Sequence, residues 1–88
     1  MTHELTLLAD IMRKVEQVAS EEHASAVSAV SVELGALAHI SPEHLREHFA
    51  IAARGTVAEC ARLDIDARED ITDPNAQEII LRSVEVEG

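Results

Sequence analysis

The residues with the clearest chemical potential lie at the start of the chain, in the segment Met1-Thr2-His3-Glu4-Leu5. A histidine this close to a free amine can form one chelator with the backbone, because the terminal nitrogen, the intervening amides and the imidazole fall into a plane. Planar nitrogen donation suits nickel(II) or copper(II) better than zinc or magnesium. The spacing therefore predicts a nickel site at the N-terminus, against the alternative of a histidine that merely precedes a helix.

Two forms of this chelate are open, because an aminopeptidase can remove a methionine that is followed by a small residue. If Met1 stays, the ligands are the terminal amine, two amides and the ring of His3. If Met1 is removed, Thr2 carries the amine and Glu4 stands beside the site as a possible oxygen donor. Both forms use His3.

Composition restricts the class of protein. The chain has 88 residues, enough for one small domain over residues 1–88, and Phe49 is its only aromatic residue. Seventeen acidic residues face seven basic ones, a net charge of −10, which argues against nucleic acid and anionic membranes as partners. Neither a secretory signal nor a stretch of membrane-spanning length is evident, so we expect a cytoplasmic protein.

Hydrophobic periodicity predicts five elements, some with a helical repeat and some with a two-residue repeat. Ser41 followed by Pro42 is typical of a helix start, and Gly55 of a helix end. The predicted elements are a helix over 4–22, a strand over 27–34, a helix over 42–53, and strands over 62–67 and 78–86. We expect a two-layer α+β domain in which a three-stranded sheet packs against two helices, in the order α-β-α-β-β.

The same periodicities predict which side chains point inward. Ala29 is expected on the exposed face of the first strand, and Ala52 on the buried face of the second helix. In the last strand Ile79 and Leu81 have odd numbers and the two later valines have even numbers, so strict alternation would place the two pairs on opposite faces; we call this switch the change of parity. Either a bulge or burial on both faces accounts for this change of parity.

Other candidate residues favour plainer interpretations. His44 and His48 are four apart and share a helix face, but no third ligand is evident, so we interpret them as solvated or partner-facing. Cys60 is interpreted as a small buried filler and not as a nucleophile. A set of carboxylates is interpreted as a solvated surface, because nothing fixes their separation for acid–base catalysis. These are Glu43, Glu47, Glu59, Asp64, Asp66, Glu69, Asp70 and Asp73.

Several segments occur together along the chain: His3-Glu4-Leu5, Glu21-Glu22-His23-Ala24, Val30-Ser31-Val32-Glu33-Leu34-Gly35-Ala36-Leu37, Pro42-Glu43 with Leu45 and Phe49, Gly55-Thr56-Val57-Ala58-Glu59, and Ser83-Val84-Glu85-Val86-Glu87. In this order they resemble the HypA/HybF family of hydrogenase nickel-insertion proteins. The resemblance implies a metallochaperone, not an enzyme, that delivers nickel to the immature large subunit of a [NiFe]-hydrogenase with a HypB-type GTPase as partner. Some relatives also serve urease.

The resemblance also implies ligands. The family binds nickel at an N-terminal Met-His-Glu, so His3 takes the histidine position and Glu4 the glutamate position. Thr2 is one extra residue, and removal of Met1 restores the family spacing, which favours the processed form. Some relatives add an aspartate from the turn before the second helix. Ser41 stands there in this chain, and His39 is a weak candidate to replace that ligand, with a solvated loop residue as the alternative.

The chain departs from the family in its last third. Relatives carry a zinc domain with two Cys-x-x-Cys pairs between the last two strands, where this chain has only a short linker over residues 69–77. A single cysteine cannot form a four-thiolate site, so we expect no structural zinc. An alternative function is therefore a metal-independent adaptor in hydrogenase maturation.

Overall fold

A computed structural model describes residues 4–88, with side-chain surroundings from residue 7 onward. The elements are α1 (Glu4–Glu21), β1 (Ala26–Leu34), α2 (Pro42–Ala53), β2 (Arg62–Ala67) and β3 (Ile79–Glu87). The predicted α+β order is confirmed, and each boundary lies within one residue of its predicted position. No helix among the described residues is both long and apolar enough to cross a membrane.

The three strands form one mixed sheet with β1 at its centre, between β2 and β3. β1 and β2 run parallel, and α2 supplies the long crossover that a parallel pair requires. β1 and β3 run antiparallel. The two helices pack against the sheet around one apolar cluster, which gives two layers and leaves the other face of the sheet open.

A β-bulge explains the change of parity in β3. Ser31 of β1 faces Ser83, whereas the next residue, Val32, faces Leu81, so Arg82 is an extra residue on β3. The extra residue returns the later valines, Val84 and Val86, to the core face, where they and Leu81 pack against the apolar cluster that includes Ile79. Of the two explanations offered by the sequence, the bulge is correct.

Ala29 is buried, with 4% of its surface exposed, although alternation places it on the exposed face of β1. It lies between Arg62 of β2 and Glu85 of β3 in the register of the sheet. The guanidinium and carboxylate of these two neighbours approach within 3.9 Å across the central strand. Ala29 does not belong to the apolar cluster between the sheet and the helices, and these two longer side chains flank it on the neighbouring strands.

The core is aliphatic apart from Phe49. In α2 the buried residues are Leu45, Phe49 and Ala53, whereas Ala52 is exposed, contrary to prediction. The three buried residues are spaced by four and form one stripe, and Ala52 lies about 100° around the helix from Ala53. The other buried apolar residues are Leu8, Ile11, Met12, Val15, Ala19, Val27, Ala29, Val30, Val32, Leu34, Ala58, Leu63, Ala76 and Ile79.

The ends of α2 follow the sequence signals. The Ser41 hydroxyl accepts a hydrogen bond from the backbone N–H of His44 at 3.2 Å, and Pro42 begins the helix. Gly55, just after the helix, has a φ of +74°, a conformation that costs glycine little and other residues more. The predicted start and end of this helix are confirmed.

The segment over residues 69–77 folds against the end of β1. The amide of Gly35 donates to the carbonyl of Glu78 at 2.9 Å, and the amide of Leu37 donates to the carbonyl of Ala76 at 2.7 Å. Ala76 is buried. A Cβ atom on Gly35 would lie 2.2 Å from the carbonyl oxygen of Ala76, so this close approach requires glycine. That the segment replaces a zinc domain stays a prediction.

Candidate metal site and its surroundings

The predicted nickel ligands Met1, Thr2 and His3 lie outside the described residues, and Glu4 is the first residue of α1. The structure therefore describes the scaffold that follows the predicted chelate and not the chelate itself. The assignment of nickel to the amine, the backbone nitrogens, His3 and Glu4 stays a prediction.

α1 is held firmly from its second turn onward. Leu8, Ile11, Met12 and Val15 are almost fully buried, as predicted, and pack into the common core. Burial of one such side chain contributes roughly 1.5–3 kcal/mol, so this stripe fixes the position and rotation of the helix. The backbone of Glu4, which directly follows His3, is thereby attached to a rigid element.

A shallow apolar groove of about 360 Å³ lies between α1 and α2. Leu8 and Ala9 line it from α1, and His48, Ile51 and Ala52 line it from α2. Ile51 is 61% exposed, unusual for a large aliphatic side chain. Leu8 is four residues from the start of α1, about 6 Å along the helix axis. The groove therefore opens close to the end of α1 that carries the predicted chelate.

His44 and His48 lie on one face of α2, as their spacing predicts. Their ring centroids are 6.4 Å apart, and the planes of the rings differ by 13°. His44 is exposed, and His48 is half-buried where it lines the groove. The sequence showed the pairing of these rings but not that one of them lies beside α1.

His39 is exposed in the loop between β1 and α2, two residues before the cap of α2. The Ser41 hydroxyl accepts a hydrogen bond from the backbone N–H of His44 as the helix cap. Its role in this structure is therefore to begin α2. Among residues 7–88, whose side chains the structure describes, no three His, Cys, Asp or Glu side chains come together in a group that could hold a metal ion.

Several carboxylates that the sequence left as a solvated surface have structural partners. The Asp64 carboxylate accepts hydrogen bonds from Arg62, at 3.0 Å for the shortest, and raises the pKa of that guanidinium. The Asp66 carboxylate likewise accepts a hydrogen bond from Arg68 at 3.1 Å and raises the pKa of the Arg68 guanidinium. All four side chains lie on a largely exposed surface, where such pairs contribute little to stability. These contacts do not form a paired-carboxylate catalytic site.

Turn formation accounts for two more carboxylates. Asp70 accepts hydrogen bonds from the hydroxyl and the amide of Thr72, at 2.6 and 2.9 Å, and these bonds lower the pKa of Asp70. Asp73 accepts from the amide of Asn75 at 2.8 Å. Both are side-chain turns of the kind that aspartate favours. They shape the segment between β2 and β3.

Cys60 is exposed, so its interpretation as a buried filler was wrong. It lies in the turn between α2 and β2, and the small buried residue of that turn is Ala58. Residue type alone does not distinguish the two positions, because both residues are small and lie in an irregular segment.

Comparison with known proteins gives concordant results. The profile of the family described as HypA, a hydrogenase/urease nickel-incorporation metallochaperone, matches residues 1–73. The hydrogenase maturation factor HypA of Methylocella silvestris is 44% identical over 64 residues, which cover 73% of this chain and 57% of that protein. The corresponding protein of Archaeoglobus fulgidus is 41% identical over 70 residues, covering 78% and 64%. The chain thus spans about three fifths of the length of these relatives.

Solved structures agree on the fold. The solution structure of the nickel metallochaperone HypA from Helicobacter pylori superposes with a TM-score of 0.79 at 16% identity and covers 99% of both chains. A second HypA solution structure gives a TM-score of 0.73 at 18% identity, over 96% of this chain and 95% of the other. The structural match includes β3, which lies beyond the part matched by the family profile.

Proposed function

This chain belongs to the HypA family, and from that membership we propose that it carries nickel, in the cytoplasm, to the immature large subunit of a [NiFe]-hydrogenase. The ion is held at the N-terminus by the ring of His3, the terminal amine of Met1 or Thr2, and backbone nitrogens. Glu4 adds an oxygen ligand where Met1 has been removed. The protein is a carrier, in keeping with a family of metallochaperones and not of enzymes.

The observation that supports this proposal most strongly is the extent of the family match. It runs from residue 1 to residue 73, and so includes the predicted ligands as well as α1, β1, α2 and β2. The curated relatives are named hydrogenase maturation factors, which favours a hydrogenase over urease as the recipient. We propose a HypB-type GTPase as the second partner.

Electrostatics at the start of α1 favours binding through deprotonated amides. A helix N-terminus carries a partial positive charge and opposes a nearby cation. Two deprotonated amides neutralise the charge of Ni²⁺, and in the processed form one amide and the carboxylate of Glu4 do the same. The neutral complex is therefore compatible with a position directly before a helix.

A carrier must also release its ion. A site of roughly micromolar strength contributes about 8 kcal/mol, which permits loading and still allows transfer to stronger ligands. Because amides and imidazole must lose protons to bind, loading weakens as pH falls. Because α1 is packed into the core from Leu8 onward, a chelate directly before this helix would carry the ion near the groove that Leu8 and Ile51 line.

Nickel titration of the purified protein tests the proposal. We expect the yellow absorption of planar, low-spin nickel(II) in the unmodified protein, its loss in His3→Ala, and its retention in the control His39→Ala. Loss in the His39 variant would instead make His39 a ligand. Unchanged nickel affinity in His3→Ala would refute the terminal site. Intact-mass measurement of protein from its own host distinguishes the two forms of the chelate.

Maturation in cells separates the carrier from the metal-independent adaptor. A strain whose only copy carries His3→Ala should fail to produce active hydrogenase, although the variant still captures its GTPase partner. Normal hydrogenase activity in that strain would support the adaptor instead.

A further inference from the structure

The outer face of α2 carries a pair of histidines that the terminal chelate does not use. We propose that His44 and His48 form a second metal site, in which two imidazoles chelate one divalent transition-metal ion such as Ni²⁺. The site is built wholly from described residues and does not depend on the ligands before α1.

The spacing of four residues places the two rings on one face of α2, one helical turn apart and near enough for one ion to reach both. A metal–nitrogen bond is about 2.1 Å and a ring nitrogen lies roughly 1.1 Å from its centroid, so two rings have centroids about 6.4 Å apart on opposite sides of an ion and about 4.5 Å apart at adjacent coordination positions. The observed separation is 6.4 Å. The two rings are stacked in nearly parallel planes, so their in-plane nitrogen lone pairs do not meet at one point, and binding requires rotation of the exposed His44 ring toward the half-buried His48 ring.

The helix holds the two ligands in register. His44 and His48 directly precede Leu45 and Phe49, which are buried, so packing of these two residues fixes the rotation of α2 about its axis. The Ser41 cap holds the first turn through the amide of His44. Half-burial of His48 beside the groove limits its rotamers, which lowers the entropy lost when it binds an ion.

The chemistry of the site favours a borderline metal in an open coordination sphere. Imidazole suits nickel, copper and zinc. Among the side chains that the structure describes, residues 7–88, no third His, Cys, Asp or Glu joins the pair, so water can occupy the other coordination positions. Glu43 and Glu47 are exposed on the same helix, and Glu43 lies in the first turn, where it offsets the helix dipole. The net charge of −10 attracts cations to the whole surface.

The two sites have different spectroscopic signatures. The terminal chelate uses deprotonated amides and gives planar, diamagnetic, yellow nickel(II). Two imidazoles with water ligands give six-coordinate nickel(II), which is paramagnetic and broadens the NMR signals of nearby nuclei. One nickel titration followed by absorption and by imidazole NMR therefore reports the two sites separately.

The experiment uses the whole chain with Ni²⁺ as the probe, and with His3→Ala to remove the terminal chelate. We expect the ring signals of His44 and His48 to broaden together at substoichiometric nickel, ahead of those of His23 and His39. His44→Gln and His48→Gln should each weaken binding about 100-fold, because each removes one of two linked ligands. Glutamine preserves side-chain length and suits a helix, and circular dichroism verifies the fold.

The control is His39→Gln, which removes another exposed imidazole and should leave binding at the pair unchanged. Uniform broadening of all histidines, or unchanged affinity in both His44→Gln and His48→Gln, would overturn the proposal. Loss of the paramagnetic signal in His3→Ala would also overturn it, because the pair would then depend on the terminus. Absence of the yellow band in the unmodified protein, with the ring signals of His44 and His48 still broadened by nickel, would refute only the terminal site.

Discussion

The contact between Gly35 and the segment over residues 69–77 yields a quantitative prediction. A Cβ atom at this position would lie 2.2 Å from the carbonyl oxygen of Ala76, 2.5 Å from its carbonyl carbon and 2.8 Å from the carbonyl oxygen of Asn75. All three atoms belong to the backbone, so no side-chain rotation can relieve the overlap. Gly35→Ala must move the segment away from the end of β1.

The expected cost follows from the contacts that this movement breaks. Two backbone hydrogen bonds hold the segment and the adjoining Glu78 against the end of β1, from the amide of Leu37 to Ala76 and from the amide of Gly35 to Glu78, and each contributes about 0.5–1.5 kcal/mol. Exposure of the buried methyl group of Ala76 costs roughly 0.8 kcal/mol more. Replacement of glycine by alanine also lowers the conformational entropy of the unfolded chain, which stabilises the folded protein by about 0.4–1 kcal/mol. We expect a net loss of about 1–3 kcal/mol in the free energy of unfolding.

Urea denaturation measures this loss, and amide hydrogen exchange locates it. The Leu37 amide should lose its protection in Gly35→Ala, whereas amides in the middle of β1 should be slowed only in proportion to global stability. Gly88→Ala is the control, because a Cβ atom at Gly88 meets nothing within 4 Å. Unchanged stability in Gly35→Ala, with the Leu37 amide still protected, would refute the reasoning.

Two further predictions concern backbone conformation and a carboxylate. His23 has a φ of +52°, a left-handed backbone conformation that costs a residue with a Cβ atom about 1–2 kcal/mol. The greater flexibility of glycine in the unfolded chain offsets part of this gain, so His23→Gly should raise the free energy of unfolding, measured by urea denaturation, by about 0.5–1 kcal/mol. The hydrogen bonds from Thr72 lower the pKa of Asp70 below its ordinary 3.8, so Thr72→Val should raise this pKa in a carboxyl NMR titration. Because the folded-state pKa is the lower one, the stabilisation is complete above the unfolded-state pKa and is lost as pH falls through the folded-state value. The stability difference between Thr72→Val and the unmodified protein should therefore be greatest near neutral pH, and a difference that persists under acid would contradict this cause.

The secondary structure was predictable because its signals are local. Periodicity over a few turns sets the extent of α1, and a serine–proline pair and a glycine set the ends of α2. The change of parity after Leu81 left a bulge and burial on both faces as alternatives, and only the pairing of β3 with β1 distinguished them. The predicted chelate is equally local, because it needs only the first residues of the chain, and its test therefore depends on metal binding.

Contacts between distant parts of the chain were decided only by the tertiary structure. Alternation could not show that Arg62 and Glu85 flank Ala29, because these two residues come from strands whose order in the sheet is not encoded locally. The close approach that restricts Gly35, and the packing that brings His48 beside α1, arise in the same way. The sequence by itself determined the elements and the residues able to bind a metal, since backbone preferences and donor chemistry belong to short segments. Which of these residues share a surface depends on how the helices pack on the sheet, and that is set by burial of the whole core at once.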